Sequence, residues 1–191
     1  MAQTRRKPET NPPTSKRSER RKPPPLDAAA LERLALRYVE RFATTRGRLT
    51  DYLQRKVRER GWEGAPADPK GVAERMAALG YVDDRAYAEA RATAMTRRGL
   101  GARRIAGAFR QAGIEEADAE AVAPAIAESA SEAALAFARR RRIGPWGRDA
   151  PDRLTAERQI AAMLRAGHRF DLARRIVALP PGAEPDGRDF D

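Results

Sequence analysis

Few residues of this chain are of a type that performs catalysis or binds metal. There is one histidine, His168, and there is no cysteine. A zinc site needs several nitrogen or sulfur ligands, so a single histidine that directly follows Gly167 is interpreted as a loop or packing residue. The adjacent carboxylates Asp83 and Asp84 could form a metal site or an acid–base pair. Because neighbouring residues at a helix start do not converge on one substrate atom, we interpret both as helix caps.

A glycine pair, Gly99 and Gly101, resembles the start of a dinucleotide-binding loop. That loop requires a third glycine at position 104, which is arginine here, and a preceding strand, which the sequence does not predict. The sequence also lacks the Gly-Lys step of phosphate-binding loops, and it shows no serine–histidine arrangement. We therefore predict a turn between helices at residues 99–101. The protein is expected not to be an enzyme and to hold neither a cofactor nor a metal.

Clusters of arginine are the strongest candidates for a binding surface. One cluster flanks the glycine turn, and the other is an uninterrupted run. Their members are Arg97, Arg98, Arg103 and Arg104 around the turn, and Arg139, Arg140, Arg141 and Arg142 in the run. Cations interact favourably with the carboxyl end of a helix, which explains one or two such residues better than four in a row. We expect both clusters to bind nucleic-acid phosphates or an acidic protein surface, with the first cluster as the stronger candidate.

Aromatic side chains argue against a surface that stacks on nucleic-acid bases. Phe, Trp and Tyr make up 6% of the chain, and they fall on the apolar side of the predicted helices. A base-stacking platform is therefore not expected. Six aromatic residues are predicted to lie in the core instead: Tyr38, Phe42, Tyr52, Tyr87, Phe109 and Phe137.

The elements that carry these residues are predicted from a pattern that occurs three times. Helical segments ending in Gly61, Gly113 and Gly167 are spaced 52 and 54 residues apart, and each glycine follows an apolar residue by four positions. A repeat of this length is typical of stacked units that are each too small to bury their apolar face alone. Such a protein is expected to work through its surface rather than through an internal cavity.

The predicted fold class is all-α. Apolar residues recur with the 3.6-residue period of helices along most of the chain, and no convincing alternating strand is present. Residues 1–26 contain six prolines and carry a net charge of +6, so they are expected to be a disordered basic arm. Residues 181–191 begin with the second of two consecutive prolines and are expected to be a disordered tail.

Charge and composition restrict the functional classes. The chain of 191 residues has a formal net charge of +11, which attracts polyanions with salt-sensitive affinity. Arginine outnumbers lysine by 33 to 5, and this skew could equally reflect genomic base composition. No apolar run approaches the roughly 18 residues of a membrane span, and the basic amino terminus leads into prolines rather than an apolar segment. We expect a cytoplasmic monomer without membrane association.

The central segment of the chain resembles the RecX family of regulatory proteins. It carries an aromatic-Val-Asp-Asp turn, an aromatic-Ala step, a Gly-x-Gly-x-x-Arg-Ile turn and a Gly-Ile helix end. The residues of this motif are Gly80, Tyr81, Asp83, Asp84, Tyr87, Gly99, Gly101, Ile105 and Gly113. Flanking segments at 31–62 and 132–179 agree with the family pattern, so the resemblance covers most of residues 28–179. The basic arm and an insert at residues 143–153 depart from it.

The resemblance implies a fold of three tandem three-helix repeats that form an elongated, curved array. We expect these repeats at residues 27–66, 67–124 and 125–180. The motif residues are expected to determine the fold, and the two arginine clusters are expected to contact the partner.

The resemblance also implies a function, which is negative modulation of the RecA recombinase. Members of the family bind the RecA–single-stranded-DNA filament along its groove and suppress its recombinase, ATPase and co-protease activities, which dampens the SOS response during DNA repair. A weak direct contact with DNA is compatible with this role. The alternative is a sequence-tolerant DNA-binding protein built from helical repeats.

Overall fold

The computed structural model describes residues 24–190, so most of the arm expected at residues 1–26 lies outside the described range. Within that range the chain forms nine α-helices and no sheet, which confirms the predicted all-α class. The helices are α1 (Ala28–Val39), α2 (Arg46–Arg60), α3 (Pro69–Ala78), α4 (Asp84–Arg97), α5 (Ala102–Gln111), α6 (Glu116–Glu128), α7 (Ala130–Arg141), α8 (Arg153–Arg165) and α9 (Phe170–Val177). Short 3-10 helices lie at Gly144–Trp146 and Gly187–Phe190.

Short polar side chains determine where many of the helices begin. Five residues precede a helix and accept a hydrogen bond from the backbone amide three positions later, which satisfies one of the free amides of the first turn. These residues are Asp27, Thr45, Asp68, Asp83 and Asp152. The predicted capping role of Asp83 is therefore confirmed.

The helices pack in three consecutive groups of three, which we call units 1, 2 and 3. Each unit has its own apolar core. Unit 1 comprises α1–α3, unit 2 comprises α4–α6, and unit 3 comprises α7–α9. Fully buried side chains mark these cores: Leu31, Leu49 and Leu53 in unit 1, Ile105 in unit 2, and Met163 and Ile176 in unit 3. The elongated, curved shape implied by the family resemblance stays a prediction.

The boundaries of the units differ from those expected. Helix α3 was expected in the second repeat, which was placed at residues 67–124, but Val72 and Met76 belong to the core of unit 1. The linker before α3, at residues 63–67, is mostly exposed and contains a proline, a composition that is also typical of a boundary between repeats. The partner of α3 is decided by its buried face, which packs on α1 and α2. Unit 3 likewise begins with α7 at Ala130, and not at residue 125.

Units 1 and 2 meet where the start of α2 lies on the end of α5, at a contact that we call the first junction. A Cβ atom added at Gly47 would lie 2.7 Å from Gly113 Cα, so the two backbones touch directly. The Thr45 hydroxyl donates a hydrogen bond to the Ala112 carbonyl beside this contact. Gly113 also has a φ of 64°, which favours glycine.

Units 2 and 3 meet in the same manner at a second junction, where the start of α5 lies on the end of α8. The Gly101 amide donates to the Ala166 carbonyl at 2.9 Å, and the Arg103 amide donates to the Gly167 carbonyl at 3.3 Å. Glycines recur in the sequence at the ends of α2, α5 and α8. At two of these ends, those of α5 and α8, consecutive units touch.

The end of α2 carries the remaining glycine of the pattern, Gly61, and it is covered by residues 24–26. The Leu26 amide donates to the Gly61 carbonyl at 2.9 Å, and Arg60 donates to the Pro24 carbonyl at 2.8 Å. Leu26 is fully buried in the core of unit 1. The expectation of disorder up to residue 26 is therefore wrong for this segment, because a buried leucine and paired backbone groups fix it.

The carboxyl-terminal segment also differs from the disordered tail expected at residues 181–191. The 3-10 helix Gly187–Phe190 packs on α7. Arg175 of α9 donates hydrogen bonds to the carbonyls of Asp189 and Phe190, and its guanidinium lies 4.9 Å from the centroid of the Phe190 ring. These contacts hold a segment whose polar, proline-containing sequence suggested fraying.

Candidate functional site at the second junction

The glycine turn of the RecX-like motif forms the centre of the second junction. Gly99 follows α4 with a φ of 67°, and a Cβ atom there would lie 2.8 Å from the Phe137 backbone nitrogen. A Cβ atom at Gly101 would lie 2.6 Å from the His168 nitrogen and still closer to the Gly167 carbonyl group. Both glycines are therefore required because backbone lies against backbone, and the predicted helix-connecting turn is confirmed.

His168 lies inside this junction. Its side chain is 3% exposed, its Nε2 lies 3.1 Å from the Gly99 carbonyl oxygen, and its ring centroid lies 5.6 Å from that of Phe137. A carbonyl only accepts, so Nε2 carries the proton and donates. Burial lowers the pKa of His168, although the hydrogen bond to Gly99 opposes this. The predicted packing role of this histidine is confirmed.

All eight arginines of the two predicted clusters are exposed. Arg97 and Arg98 end α4, Arg103 and Arg104 begin α5, and the run at residues 139–142 ends α7. The structure brings the two clusters together at one point, where Arg140 donates a hydrogen bond to the Arg98 carbonyl.

None of the eight arginines forms a salt bridge within residues 24–190. Arg141 lies 5.9 Å from the ring centroid of Phe137, and Arg142 has a φ of 54° where α7 ends. The second junction thus presents a concentration of guanidinium groups that carboxylates of the described chain do not neutralise. Such groups are suited to bind carboxylates or phosphates of another molecule.

The first junction differs because its arginine is neutralised. Arg46 at the start of α2 pairs with Asp84 at 3.1 Å, with Glu115 at 3.2 Å and with Asp118 at 3.1 Å. The Asp84 carboxylate also accepts a hydrogen bond from the Arg46 amide at 2.8 Å. Desolvation by itself lowers the pKa of Arg46, but the hydrogen bond to Asp84 and the charges of the three carboxylates together raise it above its usual value.

The prediction that Asp84 caps its own helix, α4, is therefore wrong, because the carboxylate instead accepts from the first amide of α2. Its side chain is only 2% exposed and binds the start of α2, which lies 38 residues earlier. No local pattern in the sequence predicts this contact, because the three carboxylates that meet Arg46 come from two different helices and a loop.

The remaining motif residues occupy structural positions. Ile105 is fully buried in the core of unit 2, and the Tyr87 hydroxyl accepts a hydrogen bond from Arg48 across the first junction. Gly80 has a φ of 79° after α3. Tyr81 is 52% exposed, so its ring does not belong to a core.

The predicted aromatic core is confirmed for some members and wrong for one. Phe109 and Phe137 are buried, and Tyr38, Tyr52 and Tyr87 are half-buried against a core. Phe42, however, is 51% exposed. It lies three residues beyond the end of α1, where the helical period no longer determines which way a side chain points.

Other parts of the described chain offer fewer side chains that could bind a ligand or take part in a reaction. A cleft of about 490 Å³ lies between α4, α6 and α7 and is lined by both small apolar and polar residues, with Glu89, Arg97 and Glu132 among the polar ones. Within residues 24–190, no group of three or more histidine and carboxylate side chains is arranged to hold a metal ion. Every helix within the described part of the chain is too short or too polar to cross a bilayer.

Comparison with known proteins gives a consistent result. The chain is 31% identical over 182 residues to the regulatory protein RecX of Myxococcus xanthus. The aligned segment covers 87% of this chain and 95% of that protein. Regulatory protein RecX of Thermobifida fusca is 31% identical over 175 residues, with 87% and 91% covered, and that of Agrobacterium fabrum is 29% identical over 151 residues, with 76% and 80% covered.

A solved structure shares the fold. The crystal structure of RecX from Lactobacillus salivarius superposes with a TM-score of 0.60 at 19% identity, over 78% of this chain and 93% of that one. No model of a protein family matches the chain. The identity and coverage of the named relatives nevertheless show that the chain belongs to the RecX family of regulatory proteins.

Proposed function

We propose that this protein is a negative modulator of RecA. In this proposal it binds the RecA–single-stranded-DNA filament along its groove and inhibits the recombinase, ATPase and co-protease activities of RecA. The observation that carries the proposal is the match to regulatory RecX proteins over almost the whole described chain. We further propose that it acts in the cytoplasm as a monomer.

The exposed arginines of the second junction supply a physical basis for binding. A filament of protein on single-stranded DNA offers repeated acidic groups and phosphates, and consecutive helical units can contact several filament subunits at once. Guanidinium groups at the ends of α4 and α7 and at the start of α5 have no competing carboxylate within residues 24–190. We therefore assign the first contact with the filament to Arg97, Arg98, Arg103 and Arg104, and the second to residues 139–142.

The direct test is the ATPase activity of RecA on single-stranded DNA. Purified protein at a stoichiometric ratio to RecA is expected to inhibit ATP hydrolysis. A variant in which Arg97, Arg98, Arg103 and Arg104 are replaced by serine should lose most of this inhibition. Full activity of RecA in the presence of the wild-type protein would refute the proposal.

A matched control separates specific contacts from the loss of positive charge. Replacement of Arg33, Arg58, Arg91 and Arg110 by serine removes the same charge from exposed positions that form no salt bridge in the described chain. This control is expected to inhibit RecA as the wild type does. If both variants lose inhibition equally, only the net charge matters and the assignment of the second junction is wrong.

The net charge of +11 supports a second candidate, sequence-tolerant DNA binding. It predicts strong, salt-dependent binding to naked duplex DNA that is lost when the basic arm is removed. The truncation should end at residue 23, because Leu26 is part of the core of unit 1. A gel shift with full-length and truncated protein decides between the candidates, since equal affinity for bare DNA and for the filament would favour the second.

A further inference from the structure

Three aromatic rings form a row on the surface of unit 1, beside the turn between α1 and α2. Tyr38 stacks on Tyr52, with ring centroids 4.3 Å apart and an angle of 24° between the planes. Phe42 continues the row at 5.2 Å from Tyr38. Half of the Phe42 side chain is exposed, whereas the two tyrosines are half-buried. We call these three residues the aromatic row.

Cationic side chains surround the aromatic row. The guanidinium of Arg41 lies 5.6 Å from the centroid of the exposed ring. Arg55 and Lys56 lie 5.6 and 5.8 Å from the centroid of Tyr52. A single carboxylate, Glu59, pairs with both of them, at 3.7 and 2.6 Å. Three cations against one shared carboxylate leave the surface next to the rings positively charged.

The sequence-based expectation that no aromatic surface stacks on bases assumed that Phe42 is buried, and its ring is exposed. We propose that the aromatic row binds single-stranded nucleic acid, with a base stacked on Phe42 and the adjoining phosphates held by the surrounding cations. Every base has a π-face that can stack on an aromatic ring, and unpaired strands expose these faces whereas duplexes do not. Arginine and lysine beside the rings provide the charge that follows the backbone of the strand. The proposal requires no recombinase and therefore goes beyond the proposed function.

Another exposed aromatic residue shows why exposure alone is insufficient. Tyr81 is 52% exposed, almost the same as Phe42. Within residues 24–190 its ring has neither an aromatic neighbour nor a cation over its face. Among the exposed aromatic residues at 24–190, only Phe42 combines an open ring, an aromatic neighbour and a cation, so Tyr81 serves as the matched control position.

The test is fluorescence anisotropy with labelled 15-nucleotide strands of dT, of U and of an abasic backbone, together with a 15-base-pair duplex. RecA is absent, so the outcome is independent of ATPase inhibition. We expect the dT and U strands to bind at least tenfold more tightly than the abasic strand, and more tightly than the duplex, because the bases themselves contribute. Phe42→Ala should weaken binding of dT about tenfold, and Phe42→Trp should retain it.

Two further variants complete the design. Tyr81→Ala should leave the affinity for dT unchanged, and Glu59→Gln should increase it, because it frees Arg55 and Lys56 from their shared carboxylate. Thermal unfolding of each variant confirms that it folds. Equal binding by the Phe42→Ala and Tyr81→Ala proteins, or equal binding of the abasic and dT strands, would overturn the proposal.

Discussion

Replacing Gly101 by alanine is expected to destabilise the protein, because the added methyl group has no room at the second junction. The Cβ atom would lie 2.6 Å from the His168 backbone nitrogen and closer still to the Gly167 carbonyl group. Carbon and nitrogen in contact normally lie at least 3.4 Å apart, and backbone atoms cannot move aside by changing a rotamer. The φ of Gly101 is −84°, which alanine adopts readily, so the whole penalty is steric.

The expected magnitude follows from this overlap. Overpacking a close contact typically costs about 1–3 kcal/mol, and two rigid backbones should place this site in the upper half of the range. For a chain of this length, each kcal/mol lowers Tm by about 2–4 °C. We therefore expect a decrease of roughly 4–12 °C, measured by circular dichroism, with a matching decrease of the urea midpoint.

A control of opposite sign lies six residues later, inside α5. A Cβ atom at Gly107 would meet nothing closer than the Arg110 guanidinium at 3.9 Å. Alanine is preferred to glycine inside helices by up to about 1 kcal/mol, so Gly107→Ala should stabilise the protein slightly. If Gly101→Ala is tolerated as well as Gly107→Ala, units 2 and 3 do not meet backbone to backbone, and the account of the second junction is wrong.

Three more predictions concern single contacts. Asp84→Asn should lower the free energy of unfolding by about 1–3 kcal/mol in urea titrations, because it weakens a buried acceptor of Arg46; an unchanged value would contradict the first junction. The pKa of His168 is lowered in the folded protein, so the unfolded state binds more protons as the pH falls below about 6.5, and the stability should decrease between pH 7.5 and 5.5. The substitution His168→Leu should decrease this pH dependence of the stability. A wild-type Tm that does not change with pH would contradict the prediction. Deletion from residue 187 onward should lower Tm by a few degrees, because it uncovers α7 and Arg175; a disordered tail would give no change.

Much of the fold could be predicted from the sequence because its signals are local. The helical period, the capping aspartates and the recurring glycines each act within a few residues. The glycine pattern even marked the surfaces where units meet, although the sequence did not show that Gly113 would lie on Gly47 or that Gly167 would lie on Gly101. Those contacts depend on glycines that are 66 residues apart along the chain.

The errors have a common physical cause, which is that local sequence does not reveal long-range partners. The linker before α3 looked like a boundary, yet the buried face of α3 belongs to unit 1. Asp84 looked like a cap, yet it binds Arg46 in another unit. Phe42 looked like a core residue, yet it lies beyond the end of α1 and is exposed. In each of these cases the prediction failed because the sequence does not show which distant residues pack against the segment or side chain.

The most direct measurement is electron microscopy of RecA filaments on single-stranded DNA with this protein bound. Our account predicts continuous additional density in the filament groove, with the turn between α4 and α5 and the end of α7 facing the filament. The variant lacking Arg97, Arg98, Arg103 and Arg104 should leave the groove empty at the same concentration. Bare filaments with the wild-type protein, or density that contacts the filament through a face remote from the second junction, would contradict the account.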